Sequence, residues 1–374
     1  MVKKIIYVSV RSDIGGGQEH ICQLLSNIDK NLFVPYIACP PHGYYAEKFK
    51  SLTAGSIEIP FRKFSLLFLL KLCRFIKSNG IALVHCHGKG GGIYGRLAGL
   101  FTNVPVVYTF HGIHFDKYNW FIRQIYFLIE KLLSYLTVKI VHVSFSEESL
   151  AIKLKLHSIK KSVVIYNGVD IKRYSFNIQK RKKSREQLSI KETEFVIGTI
   201  ARFDHSKGIE KSIEIIKILL KQIPVRYILV GDGERRKDIE NRIYKENLKD
   251  VVMIAGFRND VPDLLNAFDV YLSTSEHEGL PYTLMEAMAT GVPIVASDVT
   301  GNNEVIEDNV SGYLAPLHDK KMFVEKIVKL YKDENLKKQM SQNARFRIGN
   351  FFGVNAMVKK TENLYKEILK LGIG

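Results

Sequence analysis

The sequence is poor in cysteine, in acidic residues and in long apolar runs, and each shortage excludes something. Its four cysteines, Cys22, Cys39, Cys73 and Cys86, are scattered with no metal-ligand spacing. Neither a disulfide framework nor a zinc ribbon is encoded, and reduced core thiols in a cytoplasmic protein are expected. The longest apolar runs, such as Leu66 to Leu70, fall far short of the ~20 residues a membrane-spanning helix needs. Met1 to Val10 resembles a signal peptide only weakly: no small-residue cleavage site follows, and Gly15-Gly16-Gly17 comes at once. A first strand is the expectation there. No zinc finger, basic zipper region or aromatic-rich RNA-binding signature is visible, so nucleic acid is not an expected partner. Short-period repeats and low-complexity tracts are also missing.

What is present is length for two domains and apolar content for two cores: 374 residues, 46% hydrophobic. The 55 basic residues outnumber the 38 acidic ones for a net charge of +17, unevenly spread. Residues 51–100 carry seven Lys/Arg against one acid, and residues 151–200 twelve against four. Residues 251–300 invert this, with one Arg against seven acids. An anionic substrate or an anionic membrane surface suits the basic windows. The acidic window needs another reason, and hydrogen bonds to hydroxyls supply one.

Along the chain, residues 4–10 read as a strand, and Gly15-Gly16-Gly17 makes a glycine-rich turn into a helix, where backbone approaches a phosphate or a sugar closely. Residues 33–39 and 81–86 read as strands. Between them Phe64 to Ile76 is a leucine-rich helix flanked by Arg62-Lys63 and Arg74 to Lys77; it either faces the core or lies partly on anionic lipid. His85 and His87 precede a glycine-rich helix start, and no third metal ligand is near in sequence. Val104 to Phe110 is a strand ending in His111-Gly112, and strand ends of open parallel sheets point at the binding crevice. Tyr118 to Leu136 reads as a helix with Tyr118, Trp120, Phe121, Tyr126 and Phe127 in its first half. Most of these are expected in a core, although Trp and Tyr beside Lys117 and Arg123 also suit a membrane interface. Strands at 139–143 and 163–166 close this half. The charged stretch 171–194, with Lys180-Arg-Lys-Lys183, is the best linker candidate.

The second half alternates strands and helices, with strands at 195–200, 225–230, 251–255, 270–273, 293–296 and 312–315. That pattern is a doubly wound parallel sheet. Arg202 at a strand end and Lys207 at a helix start could converge on one dianionic group. Gly256-Phe257-Arg258 follows a strand, where backbone groups could hold a base. Gly231-Asp-Gly233 is too short for a full dinucleotide turn. Asp269 to Ser273 reads as a buried strand, and Glu276-His-Glu-Gly-Leu-Pro281 then leads into a helix that Gly291 ends. The N–H groups near Gly279 and Leu280 favour an anion. Glu278 and Glu286, with seven residues between them, can face a ligand from two heights.

Glu278 to Ser297 resembles, along its whole length, the paired-glutamate signature of the retaining glycosyltransferases of family 4. The resemblance covers nearly the whole chain and is most specific in the second half. It implies the α/β GT-B fold, two Rossmann-like doubly wound domains facing across a cleft. Residues 1–168 would form the acceptor-binding domain, with residues 351–374 packing back on it, and residues 169–350 the nucleotide-sugar domain, joined at Asn167-Gly-Val-Asp170. It also implies roles. Gly16 and Gly17 face the donor diphosphate and the acceptor, and His111 contacts the donor sugar at its 6-hydroxyl. Arg202 and Lys207 bind the diphosphate. Glu278 binds the sugar hydroxyls, Glu286 the ribose, and Thr300 to Glu304 lies beside the phosphates. No metal or other cofactor is expected.

The implied reaction is retaining transfer from a nucleotide diphosphate sugar to an acceptor hydroxyl. The neighbourhood of His111 to Phe115 resembles enzymes of bacterial capsule, exopolysaccharide and O-antigen assembly. That favours a UDP-hexose or UDP-N-acetylhexosamine over GDP-mannose, and an acceptor linked to a polyprenyl diphosphate. Peripheral contact with the inner face of the cytoplasmic membrane is expected from the basic excess of residues 51–100. A nucleotide-sugar epimerase of the same fold would not need the Glu278–Glu286 element. A hydride-transferring dehydrogenase needs a full Gly-x-Gly-x-x-Gly turn, and a non-catalytic sugar-binding scaffold could lose the cations and glutamates that stand here.

Overall fold

The computed structural model describes residues 2–59, 64–113 and 119–371. Arg62, Lys63, His114, Phe115, Lys117 and Tyr118, all used in the sequence reading, lie outside them. The chain divides into two compact units. One comprises residues 1–168 and 354–374, the other residues 169–353.

The first unit is built on seven parallel strands: β1 (Lys3–Ser9), β2 (Phe33–Cys39), β3 (Gly55–Glu58), β4 (Leu83–His87), β5 (Val106–Thr109), β6 (Lys139–His142) and β7 (Ser162–Val164). Their order in the sheet is β3-β2-β1-β4-β5-β6-β7. Order reverses between β1 and β4, so the loops after these strands flank a switch point, the place where open α/β sheets hold ligands. The central strands are buried on both faces, which is why they read as continuous apolar runs. Edge strand β3 is half-exposed and alternates, too weak a pattern to be recognised from sequence. Helix Val354–Ile368 completes this unit. Its Val354, Met357, Val358, Leu364 and Tyr365 enter the core formed by Ile5, Tyr7, Leu24 and Leu83.

The second unit holds β8 (Val196–Ile200), β9 (Arg226–Val230), β10 (Val252–Gly256), β11 (Val270–Ser273), β12 (Ile294–Ser297) and β13 (Tyr313–Ala315). Their order is β10-β9-β8-β11-β12-β13, all parallel. The switch point lies between β8 and β11. All six strands fall where the sequence places them.

Two expectations fail. The proposed linker is not a linker: residues 178–187 form a helix, Ile178–Gln187, that docks on the second unit. Its apolar content is low because its anchors are cationic. Arg181 and Arg185 each donate to the carboxylate of Asp269, at 2.8 and 2.7 Å, and Val196 N–H adds a third bond at 2.8 Å. Arg185 is only 1% exposed and also donates to the carbonyls of Ala267, Lys191, Glu192 and Glu194.

The second failure concerns the aromatic helix, Trp120–Tyr135, whose apolar side faces outward. Trp120 is 68% exposed and Phe121 65%, with Ile125, Leu128, Ile129, Leu132 and Tyr135 exposed as well. Its buried residues are Glu130, Leu133 and Ser134. An ion pair pins it: both terminal nitrogens of Arg96 donate to Glu130 Oε2 at 2.9 Å, with the guanidinium stacked 3.7 Å over Tyr108. Helix Leu66–Ser78 is divided, with Leu69, Leu72, Cys73 and Ile76 buried and Leu66, Leu67 and Leu70 exposed.

The Asp269 clamp makes a stability prediction. Asp269→Ala strands the buried Arg185 charge, and urea unfolding is expected to show a loss of about 3–5 kcal/mol. Arg181→Met, at the more exposed partner, is expected to cost less.

Candidate active site

At the switch point of the second unit, the loops after β8 and β11 are tied together by polar contacts. The Asp204 side chain caps the turn before Lys207 by accepting from Ser206 N–H at 2.9 Å, and it also receives Arg202 Nε at 2.6 Å. Burial raises the Asp204 carboxyl, but the bonds from Ser206 and Arg202 and the charges of Arg202 and Lys207 outweigh it, holding the group below its usual range. Lys207 Nζ donates to Glu278 Oε1 at 2.6 Å, with both side chains largely buried. Backbone bonds reinforce the link. Glu276 N–H donates to Ser206 O at 2.8 Å, and the Thr274 hydroxyl to Gly208 O at 2.9 Å.

Gly279 and Leu280 sit just before helix Tyr282–Thr290, which carries Glu286 on a buried face. The Thr300 loop closes over them, with Glu278 N–H donating to Thr300 O at 3.3 Å. Gly301 has φ of 85°, and a Cβ there would meet Gly279 O at 2.7 Å, so only glycine lets these loops touch. Both glutamates act on one neighbour: burial raises the Tyr271 phenol well above its ordinary value, and the charges of Glu278 and Glu286 add to the shift. The structure therefore brings Arg202, Lys207, Glu278, Gly279, Leu280 and Glu286 to one end of the sheet.

Gly256, Phe257 and Arg258 lie apart from these, at the end of β10, two strands from β8, roughly 10 Å at the usual strand spacing. Gly256 O accepts from Gly231 N–H at 2.8 Å. Phe257 is exposed, and the Arg258 guanidinium is engaged by Asp260 at 2.8 and 2.5 Å. Backbone and the Phe257 ring are what this corner offers a ligand.

In the first unit, helix Gly16–Asn27 starts at the glycine turn after β1. Gly17 abuts His111: a Cβ on it would lie 3.2 Å from the imidazole. His111 belongs to a group of four histidines. His20 Nδ1 meets Asn167 Oδ1 at 2.9 Å. His85 is held by Tyr365 Oη at 2.5 Å and Thr109 Oγ1 at 2.7 Å, and His87 Nδ1 meets His111 Nε2 at 3.1 Å. Burial lowers all four, His20 from its ordinary 6.5 to about 4 and the others well below 6.5, and the charges of neighbouring histidines add to the effect at His85, His87 and His111. They are neutral imidazoles near pH 7. Among the described residues, no group of three or more His, Cys, Asp or Glu is placed to hold a metal ion.

Sequence reasoning missed Glu147. Its buried carboxylate accepts from Gly112 N–H at 2.5 Å and Val143 N–H at 3.1 Å, so it holds the turn that follows His111. A signal existed: Ser144-x-x-Glu147 is a capping box, and the Ser144 side chain does accept from Glu147 N–H. Asp204 and His20 were missed as well, and His87 was noted only as one of two histidines before a glycine-rich helix start.

With this geometry in hand, comparison with known proteins is informative. Residues 14–173 match the family model described as Glycosyltransferase Family 4, and residues 180–347 that of Glycosyl transferases group 1. The Escherichia coli UDP-Gal:alpha-D-GlcNAc-diphosphoundecaprenol alpha-1,3-galactosyltransferase is 30% identical over 307 residues, 80% of this chain and 79% of that protein. The Staphylococcus aureus capsular polysaccharide biosynthesis glycosyltransferase CapM is 25% identical over 310 residues, 81% of each chain. Among solved structures, Anabaena Alr3699/HepE in complex with UDP and glucose superposes with a TM-score of 0.86 at 22% identity, covering 98% of this chain and 100% of that one. At that identity the likeness speaks for the fold.

The histidine cluster makes stability depend on pH. Depressed folded pKa values mean that protons bind the unfolded chain more readily, so the stabilisation is complete above about 6.5 and is lost as pH falls toward 4. Each histidine that gains a proton on unfolding adds a slope of about 1.4 kcal/mol per pH unit within that window. Thermal melts at pH 7 and pH 5 are expected to show a marked drop. A flat profile contradicts a neutral cluster.

Proposed function

The chain belongs to glycosyltransferase family 4, and from that premise we propose that it moves a sugar from a UDP-hexose or UDP-N-acetylhexosamine to a hydroxyl of a polyprenyl-diphosphate-linked sugar or oligosaccharide. The transfer retains the anomeric configuration, needs no metal, and serves bacterial surface polysaccharide assembly. The observation that carries this reading is the Arg202–Asp204 and Lys207–Glu278 arrangement at the switch point of the second unit. The ammonium of Lys207 has three N–H groups. One meets Glu278, leaving two for phosphate oxygens. Arg202 gives Nε and Nη2 to Asp204, which leaves further N–H groups for a second oxygen. Glu278 uses Oε1 on Lys207, leaving Oε2 to accept from a sugar hydroxyl.

In the reaction, the bond from the anomeric carbon to the β-phosphate oxygen breaks and a bond to the acceptor oxygen forms. The acceptor proton passes to the departing diphosphate. Arg202, Lys207 and the N–H groups near Gly279 and Leu280 stabilise the charge that develops there, a form of electrostatic preorganisation. Glu286 binds the ribose, Gly256 and Phe257 receive the base, Gly16 and Gly17 admit phosphate and acceptor, and His111 meets the 6-hydroxyl. The names of the Escherichia coli relative and of the Anabaena complex support UDP-linked chemistry and a lipid-linked acceptor.

Thermal stabilisation by a panel of UDP-, GDP- and ADP-sugars tests the donor. A ligand at 100 times its dissociation constant adds about 2.7 kcal/mol, and UDP-sugars are expected to lead. Arg202→Ala and Lys207→Ala each weaken UDP more than uridine, by about 1.5–3 kcal/mol for a charge-assisted bond. Glu278→Gln frees Lys207 of its counter-charge, so UDP binds more tightly while turnover falls. Unchanged UDP affinity in both cation variants would falsify the diphosphate role.

The membrane part of the reading rests on helix Trp120–Tyr135. No described helix is long and apolar enough to cross a bilayer, but this one turns a row of apolar side chains outward. Beside its last turn, Lys131, Lys155 and Lys161 line an open depression of about 280 Å³. Apolar face and flanking lysines match an anionic leaflet, at about 1 kcal/mol per cation near the surface. The sequence reading rested this contact on the basic excess of residues 51–100, the helix from Phe64 to Ile76 and the aromatic cluster from Tyr118 to Phe127; the proposal centres it on residues 120–135, whose exposed apolar side chains support it. Co-sedimentation with liposomes is expected to require anionic lipid and to weaken as salt rises. Leu128→Gln with Leu132→Gln is expected to reduce it more than Arg74→Gln with Lys77→Gln. Binding indifferent to lipid charge and to both pairs removes the membrane from the proposal.

A further inference from the structure

We infer that His87 is a positioning residue that fixes the tautomer of His111, so that His111 presents a protonated Nδ1 to the substrate. Three of the four clustered histidines are explained by their partners: His20 by Asn167, His85 by Tyr365 and Thr109, and His111 by His87. His87 is different. Its Nδ1 meets His111 Nε2 at 3.1 Å, while its Nε2 is buried with no hydrogen-bonding partner among the described residues. The ring itself is 4% exposed, stacked on Tyr7 at 5.9 Å and packed 4.2 Å from His85.

Two neutral arrangements of the pair exist, since each imidazole carries one proton. In the first, the His87 proton is on Nδ1 and is donated to His111 Nε2; the unpartnered atom is then a lone pair. In the second, His111 donates from Nε2, and His87 must carry its proton on Nε2, where it is a buried N–H without an acceptor. Orphaned buried N–H groups are rarer than under-satisfied acceptors. The first arrangement wins. His111 Nε2 is therefore an acceptor, and its own proton sits on Nδ1, which has no hydrogen-bonding partner among the described residues. A ring turned this way can donate to a sugar or phosphate oxygen and cannot act as a base from that atom. Glu147 holds the turn that follows this residue through Gly112 N–H, and Gly17 leaves room for the ring.

The functional arm of this inference rests on the proposed role of His111 at the donor sugar. The tautomer itself is read without substrate, so the two can fail separately. Long-range proton–nitrogen correlation spectra of protein labelled with nitrogen-15 histidine report which nitrogen is protonated, and His111→Gln assigns the signals. The native protein is expected to show His111 protonated at Nδ1. His87→Leu removes the donor and gives a mixture of tautomers, whereas His87→Asn places an amide N–H where Nδ1 was and preserves the Nδ1–H form. Turnover in His87→Leu is expected to fall about tenfold, the worth of one hydrogen bond, with little change in the donor KM. His87→Asn restores most of it. Protonation of His111 at Nε2 in the native protein, or equal loss of turnover in both variants, overturns the inference.

Discussion

One ion pair organises the second unit's binding end: Lys207 Nζ to Glu278 Oε1, 2.6 Å. It joins the loop after β8 to the loop after β11 across the point where strand order reverses. Each group limits what the other can do. Lysine without its partner would be a mobile cation on a flexible stem; the glutamate without lysine would be an uncompensated negative charge at the end of the sheet. Together with Arg202 and Asp204 they make a locally neutral set of four charges, so an anion of the kind proposed above would meet oriented dipoles and N–H groups instead of a bare positive patch. Such a site discriminates by geometry more than by attraction.

The first unit solves a different problem with different chemistry. Its binding end is lined by imidazoles that burial keeps neutral. Neutral rings stack, hydrogen-bond and donate without the desolvation cost of a buried charge. The only buried cation described above in this unit, Arg96, is paired with Glu130 and used to seat a helix. The Arg202, Asp204, Lys207 and Glu278 charges of the second unit thus have their counterpart in a cluster of neutral rings in the first.

Legibility in the sequence followed the range of the forces involved. Parallel strands buried on both faces appear as local β-branched runs, and all six of the second unit were readable. The Glu278–Glu286 helix was readable because proline and glycine mark its ends. Helix Ile178–Gln187 was not, because the carboxylate that anchors Arg181 and Arg185, Asp269, lies more than 80 residues away. Periodicity announced that Trp120–Tyr135 has an apolar side but could not say which side meets the core; a buried Glu130 held by Arg96 decided it. Glu147 was half legible: its bonds to Ser144 and Val143 are local, but the one to Gly112, which ties it to the His111 turn, spans 35 residues.

The chain leaves the first unit after Gly168 and re-enters it at Val354. Tyr365, from the returning helix, supplies the hydroxyl that His85 and Tyr7 share, and Leu364 and Met357 fill the same core. During synthesis the polypeptide emerges from its N-terminus, and domains generally fold as units in that order. Here the order is inverted. The second unit is one continuous segment and is complete as soon as residue 353 has emerged. The first unit, although begun earlier, waits with an unfinished core and with His85 short of one of its two partners until helix Val354–Ile368 is in place. Loss of helix Val354–Ile368 therefore damages the unit whose strands were translated earlier.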